Sequence, residues 1–248
     1  MNRKSIADLA GSVGVGAWAA FSVLTLVVIG RSGAPLWLDD SFLTWSVGHR
    51  PEAVVALARA VTATGTGLVP YVLAALAGAL AGRTTRSRLP ATAVCLACLG
   101  LGQLLRYGAM ELVHRPRPAQ ADWRAHASGW SFPSGHTTTA ALAAGLLAVA
   151  LTLRAPRGGT ALRIAVCGWG LAVGLTRVYL GVHWFTDVMG GWLFAAGWLG
   201  VCLCVAAHLL PAHLLPAPFL TEPTDPAHAP TEDHASEDPG CRGRSRPA

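Results

Sequence analysis

The 248 residues contain 52% apolar types but only 13% charged ones, where a soluble domain carries about 25% charged residues. That balance excludes a water-soluble globular enzyme and, for most of the chain, disorder; six cysteines and 28 glycines without a triplet period exclude a disulfide scaffold and a collagen. The net charge of +6 comes almost wholly from arginine, and residues 1–211 hold sixteen basic against seven acidic groups, scattered between apolar runs, a distribution that excludes nucleic acid as a partner and points to anionic lipid or an anionic substrate.

A hydrocarbon core about 30 Å thick takes ~20 apolar residues per helix. Six stretches meet that demand, and the expected fold is an all-α, integral membrane six-helix bundle. Leu9 to Ile29 is the first span, read as a retained anchor because it is longer than a signal peptide's apolar region and no small-x-small cleavage site follows. Residues 36–60 mix Trp37, Trp45, Asp39, Asp40 and Arg59 with apolar types, which predicts an amphipathic segment lying at the interface. Val61 to Gly82, the weakest span, has Thr62, Thr64, Thr66 and Pro70 near its start. Leu89 to Val113 carries Arg106 and Glu111 near its end, where the two can pair. His136 to Leu153, Leu162 to Tyr179 and Val188 to Leu210 complete the set. Gly78-xxx-Gly82 and Gly170-xxx-Gly174 are places for helices to approach closely. Cys95, Cys98, Cys167, Cys202 and Cys204 lie inside apolar runs as packed or lipid-facing thiols, with no redox or zinc role. Residues 212–248, rich in Pro, Ala, Asp, Glu and His, read as a disordered cytoplasmic tail.

Short basic loops orient the bundle. Arg3 and Lys4, then Arg83, Arg86 and Arg88, then Arg154, Arg157 and Arg163 share one side, which the positive-inside rule makes cytoplasmic, together with both termini. Residues 30–60, 114–135 and 180–187 fall on the other side. Arg115, Arg117, Arg124 and Arg177 lie there too, against the charge rule, and so ask for another role.

Three patches meet at that outer depth. They are His114-Arg115-Pro116-Arg117-Pro118, Pro133-Ser134-Gly135-His136, and Arg177-x5-His183-x3-Asp187. Ser134 and Gly135 begin a helix, whose first amides lack internal partners and suit a phosphate, and His136 projects from its first turn. His183 and Asp187, four apart, share one face of a helix. The carboxylate accepts the Nδ1 proton and leaves Nε2 as a nucleophile. Arg177, across a tight turn, offers a planar fork to phosphate oxygens. Two histidines, one carboxylate and several arginines make a phosphoryl-transfer constellation, in which one histidine attacks phosphorus and the other protonates the leaving oxygen. Trp123, Trp130, Trp184 and Trp192 read as interface-belt residues.

These motifs resemble the membrane branch of the type-2 phosphatidic acid phosphatase superfamily, which shares its catalytic fold with the vanadium haloperoxidases. The family pattern is Lys-x6-Arg-Pro, Pro-Ser-Gly-His and Ser-Arg-x5-His-x3-Asp. The second part stands here as Pro133 to His136, and the third as Thr176-Arg177-x5-His183-x3-Asp187, with Thr for Ser. The resemblance spans roughly residues 60–210. It implies His183 as nucleophile, Asp187 as its partner and His136 as general acid, with Ser134, Gly135, Arg177 and Arg117 on the phosphate, and no cofactor or metal. The first motif departs from the pattern: seven residues before Arg117 stands Met110, and seven before Arg115 stands Gly108, so the phosphate-binding lysine is missing. Arg106, one turn before Met110, is a candidate to supply that cation, as are His114 and Arg115.

The expected organisation is an anchor span with an interfacial segment (1–60), phosphatase core helices (61–211) and the tail. The expected activity is a multi-pass membrane phosphatase acting at the extracytoplasmic face, in the bilayer, on a lipid phosphate or diphosphate. Isoprenoid diphosphate, phosphatidic acid and phosphatidylglycerol phosphate are the substrate classes. The Ala, Gly and Arg richness suggests a high-GC bacterium and tilts the choice toward a cell-envelope lipid. Two alternatives are a metal-dependent hydrolase with His136, His183 and Asp187 as ligands, which the nearby arginines oppose, and a lipid-phosphate-binding or transport protein on the same scaffold, which only the missing lysine supports.

Overall fold

Long runs of Ala, Leu, Val and Gly with few breakers form helices because, in lipid, every backbone polar group must be bonded within its own segment. The computed structural model describes residues 3–155 and 158–209, and among these it holds eight helices and no strand. They are α1 (Arg3–Gly30), α2 (Trp37–Gly48), α3 (Glu52–Ala63), α4 (Leu68–Ala81), α5 (Thr85–Val113), α6 (Gly135–Arg154), α7 (Thr160–Tyr179) and α8 (Phe185–Leu209), with a 3-10 turn at Gln120–Asp122. The tail expected at 212–248, the loop residue Arg157 and the last residue of the sixth expected span, Leu210, lie outside the described residues.

Five helices are long and apolar enough to cross a membrane: α1 over Asp8–Gly30, α5, α6, α7, and α8 over Phe185–Ala207. α3 and α4 pass the same test only as a pair, bent by 50° at the break between them. The continuous span expected at Val61 to Gly82 is therefore corrected. α4 alone has 14 residues, about 21 Å of helix at 1.5 Å per residue, too short for the hydrocarbon core. The chain bends where Gly67 takes φ +66 and where the Thr64 hydroxyl turns back to donate to Val61 O at 2.7 Å. Trp169 of α7 donates Nε1 to that same hydroxyl at 2.8 Å, pinning the break. α3 is continuous from Glu52 to Ala63. α2 inverts the usual pattern: Trp37 and Trp45 face outward while Asp39 and Ser46 are buried.

α6 is the central helix. Over half of its apolar window (56%) is buried, against 17% for α5, and α4, α5, α7 and α8 all pack on it. Its buried positions Ala140, Ala143, Ala144, Leu147, Ala150 and Leu151 recur at helical spacing, and the small ones admit close neighbours. α1 packs along α8, where a Cβ on Gly200 would stand 2.6 Å from Gly14 Cα. Val15, Leu26, Leu104 and Ile164 point outward, as a lipid-facing belt requires. Cys95, Cys98, Cys167, Cys202 and Cys204 lie on the spans, where Cys98 Sγ stands 3.2 Å from Cys202 Sγ.

The helices bring the α1–α2 turn, α2, residues 114–134 and the α7–α8 turn to one end of the bundle. Arg83, Arg86 and Arg88 at the start of α5, with Arg154 and Arg163, lie at the other end. Hydrogen bonds confirm the convergence: Arg124 N donates to Leu180 O at 2.8 Å, Ser131 N to Arg115 O at 2.9 Å, and Ser134 N to Asp187 O at 3.0 Å.

Candidate active site

His183 and Asp187 meet, but not as neighbours on one helix face. α8 begins at Phe185, so His183 sits in the turn before it. Asp187, in the first turn of α8, folds back: its Oδ2 accepts the Trp184 amide at 2.9 Å and the His183 Nδ1 hydrogen at 3.2 Å. The carboxylate thereby caps the helix and holds the imidazole at once. Arg117 Nη1 stands 2.9 Å from His183 Nε2. A guanidinium has only donors, so Nε2 carries the lone pair and Nδ1 the proton. Burial first, then the Arg117 and Arg177 guanidinia, holds the His183 pKa well below its ordinary 6.5, and the ring is neutral at neutral pH. Arg117 is itself pressed downward, chiefly by burial. It gives its remaining hydrogens to Val182 O, Gly129 O, Ser128 O and Trp130 O, which tie the 128–130 loop over His183.

Ser134 caps α6, and Thr138 N is the first amide to bond back to it, at 3.0 Å. The amides of Gly135, His136 and Thr137 are left as open donors at the helix N-terminus. The Ser134 side chain is fully buried and accepts from Thr137 Oγ1 at 3.0 Å. This N-terminus is pressed onto α8 at Gly191, where an added Cβ would stand 3.0 Å from Thr137 Cβ and 3.1 Å from Ser134 O. His136 is half-buried and lines an open cavity of about 590 Å³ with Arg59, Thr62, Trp123, Arg124, His126 and Arg177. His183, Arg117, Arg106 and Arg177 are all within its electrostatic range.

Arg177 is buried on the last turn of α7. The turn after it closes through Leu180 N to Thr176 O and Val182 N to Arg177 O, as its spacing in the sequence implied. One guanidinium nitrogen donates to Thr62 Oγ1 at the α3–α4 break, at 3.2 Å, and its Nε has no hydrogen-bond partner. Arg106 folds up one turn of α5 onto the missing-lysine position, its Nη1 3.2 Å from Met110 Sδ. Its Cζ would lie 3.4 Å from a Cβ on Gly135, and it makes no ion pair with Glu111.

Arg115 departs from expectation. It is wholly buried, behind His183 rather than at the opening. Nη1 donates to Asp187 Oδ1 and to Thr186 Oγ1, each at 2.7 Å, Nη2 to Asp39 Oδ2 at 2.7 Å, and Nε to Gly33 O at 3.3 Å. With its donors so committed, it is not placed to hold a phosphate. His114, the other substitute considered, is exposed and stacks edge-on against Trp130. Trp184 is buried under Arg115 and donates Nε1 to Pro116 O, and Trp123 lines the cavity. Among the described residues no three His, Cys, Asp or Glu side chains converge as a ligand set. Asp39, Thr62 and Thr186 are the site neighbours that motif reading missed. Only Asp39 had a signal, an acid set in an apolar, Trp-flanked stretch.

The described residues thus form an apolar helical bundle with two histidines, a carboxylate and open helix amides at one end. Residues 91–209 match the PAP2 superfamily, and that segment belongs to it. Among its relatives, phosphatidylglycerophosphatase B of Bacillus subtilis is 35% identical over 127 residues, which are 50% of this chain and 60% of that protein. Lipid A 1-phosphatase of Rhizobium etli is 36% identical over 80 residues, 32% of this chain and 31% of that protein. The chain thus spans less than two thirds of the length of either curated relative. The crystal structure of a transmembrane PAP2-type phosphatidylglycerolphosphate phosphatase from Bacillus subtilis matches with a TM-score of 0.62 at 28% identity, covering 79% of this chain and 94% of that one.

Proposed function

We propose that this multi-pass membrane protein is a phosphatase that hydrolyses a lipid phosphate or diphosphate through a phosphohistidine on His183. The observation that carries the reading is the line Asp187–His183–Arg117, which leaves the Nε2 lone pair facing the Arg117 guanidinium at 2.9 Å. Nε2 attacks phosphorus as the phosphorus–oxygen bond to the lipid breaks, and His136 gives its proton to the leaving oxygen. Water then attacks phosphorus, His136 takes the water's proton, and the Nε2–phosphorus bond breaks to release phosphate. Arg117 passes its hydrogen bond from Nε2 to a non-bridging oxygen as the phosphate arrives. The unpartnered Nε of Arg177, the Arg106 guanidinium and the open amides of Gly135, His136 and Thr137 meet the remaining charge. Arg106 takes the place of the family's lysine, and Arg115 orients Asp187 instead of touching substrate.

The lipid tail stays in the bilayer, so its affinity needs no deep pocket. The names of the relatives support phosphatidylglycerol phosphate or a glycolipid phosphate as the headgroup class, beside isoprenoid diphosphate and phosphatidic acid. The basic ends of α5, α6 and α7, opposite the site, support an extracytoplasmic site with cytoplasmic termini.

Phosphate release by purified protein from a panel of these lipids tests the reading. His183→Ala is expected to lower turnover by a factor of about 10³ or more, to abolish acid-labile phosphate on the protein, and wild-type turnover is expected to fall with vanadate but not with chelators. Turnover that survives in His183→Ala overturns the mechanism.

A further inference from the structure

The guanidinium of Arg115 is fully buried between two fully buried carboxylates, Asp187 and Asp39, at 2.7 Å from each. Asp39 arrives from α2, outside the segment 91–209. It is completely satisfied: Leu36 N and Arg115 Nη2 donate to Oδ2, and Thr186 N donates to Oδ1 at 2.8 Å. The Thr186 hydroxyl accepts from Arg115 and gives its own proton to Asp39. Burying such a triad stabilises a fold poorly in comparison with apolar packing, so a structural role alone does not explain it.

Charge balance does. Had Arg115 only Asp187 as a partner, the pair would be neutral, and the carboxylate's field at His183 would be largely cancelled. With Asp39 on the far side, the cluster of Asp187, Arg115 and Asp39 carries one net negative charge. That charge lies next to an imidazole that turns cationic when Nε2 bonds phosphorus while Nδ1 keeps its proton. In a buried site its effect is strengthened by weak solvent screening.

We infer that Asp39 is a positioning residue of the active site, which holds Arg115 so that the guanidinium orients Asp187 without quenching its charge on His183. The inference rests on the phosphohistidine reading above. Asp39 also caps α2 through Leu36 N, so the test must separate chemistry from folding. In Asp39→Asn, kcat on a lipid phosphate is expected to fall about tenfold or more with KM within about threefold. Vanadate, which accepts the Nε2 lone pair, is expected to inhibit about tenfold less well, while inorganic phosphate, held only by its oxygens, keeps its inhibition constant within about threefold. A merely structural Asp39 moves both inhibition constants together or neither, and that result overturns the proposal, as does an unchanged kcat. Should Asp39→Asn not fold, Thr186→Val, which removes the bridging hydroxyl, is expected to show the same split on a smaller scale, and its absence overturns the proposal equally. A wild-type protein that releases no phosphate overturns the phosphatase reading and this role with it; an active wild type with an indifferent Asp39→Asn overturns this role alone.

Discussion

Met110 occupies the place where the family pattern carries a lysine, and the physical question at this residue is where the missing positive charge went. Arg106 answers it by geometry: its guanidinium reaches one helical turn forward, contacts Met110 Sδ and stands against Gly135, next to the open amides of α6. Because the cation is relocated rather than lost, moving it back is a direct test. Arg106→Ala is expected to raise KM and lower kcat/KM by about 10²-fold, the scale of one lost charge-assisted contact to a transition state. Arg106→Ala with Met110→Lys is expected to recover about tenfold or more of that loss in the same phosphate-release assay. An Arg106→Ala variant with unchanged kcat/KM sinks the assignment. Arg115 makes the complementary point. Two arginines separated by one proline look alike in sequence, yet Arg117 stands over His183 while Arg115 is sealed behind it among carboxylates.

At the level of elements, the site depends on two helix beginnings being pressed together. α6 starts at Gly135 and α8 at Phe185, and Ser134 N reaches Asp187 O across the contact. Gly191 is what permits it, since any Cβ there meets Thr137 and Ser134 O at 3.0–3.1 Å. Gly191→Val is expected to destabilise the protein by about 1–3 kcal/mol through overpacking and to lower kcat by parting His136 from His183. Gly100→Ala is the control: its Cβ meets nothing within 4 Å, so stability stays level or rises by about 0.5–1 kcal/mol from helix propensity, with kcat unchanged. Thermal unfolding in detergent alongside turnover checks both, and an unperturbed Gly191→Val removes the packing argument. The α3–α4 break is the second positioning element. It places Thr62 against Arg177, which an unbroken helix would carry past the site.

At the level of the whole molecule, five helices long and apolar enough to span, with the bent α3–α4 pair, separate a basic end from the end that holds the candidate site, and large apolar side chains are exposed between them. If the positive-inside rule orients the bundle, Ala121→Cys, exposed on the 3-10 turn beside the cavity, is expected to react with a membrane-impermeant maleimide on intact cells, and Arg83→Cys only after lysis, with the wild type as blank. The reverse pattern inverts the orientation and with it the face on which the lipid is hydrolysed.

Apolar runs, basic loops and short motifs determined by themselves that this chain is a helical membrane protein, and they singled out His183, Asp187, His136 and Arg177 as the candidates for one constellation. These are local properties: hydropathy sets the spans, and spacing across a tight turn or a helix start sets the reach of a side chain. The α3–α4 break, the sealing of Arg115, the advance of Arg106 and the arrival of Asp39 were decided only by tertiary structure. Each depends on a partner far away in the chain: Asp39 meets Thr186 across 147 positions and Arg115 across 76, and Arg177 meets Thr62 across 115. No periodicity or motif encodes which buried charge will find which counter-charge, because that choice is made when packing removes water and leaves each ionised group the neighbour that satisfies it.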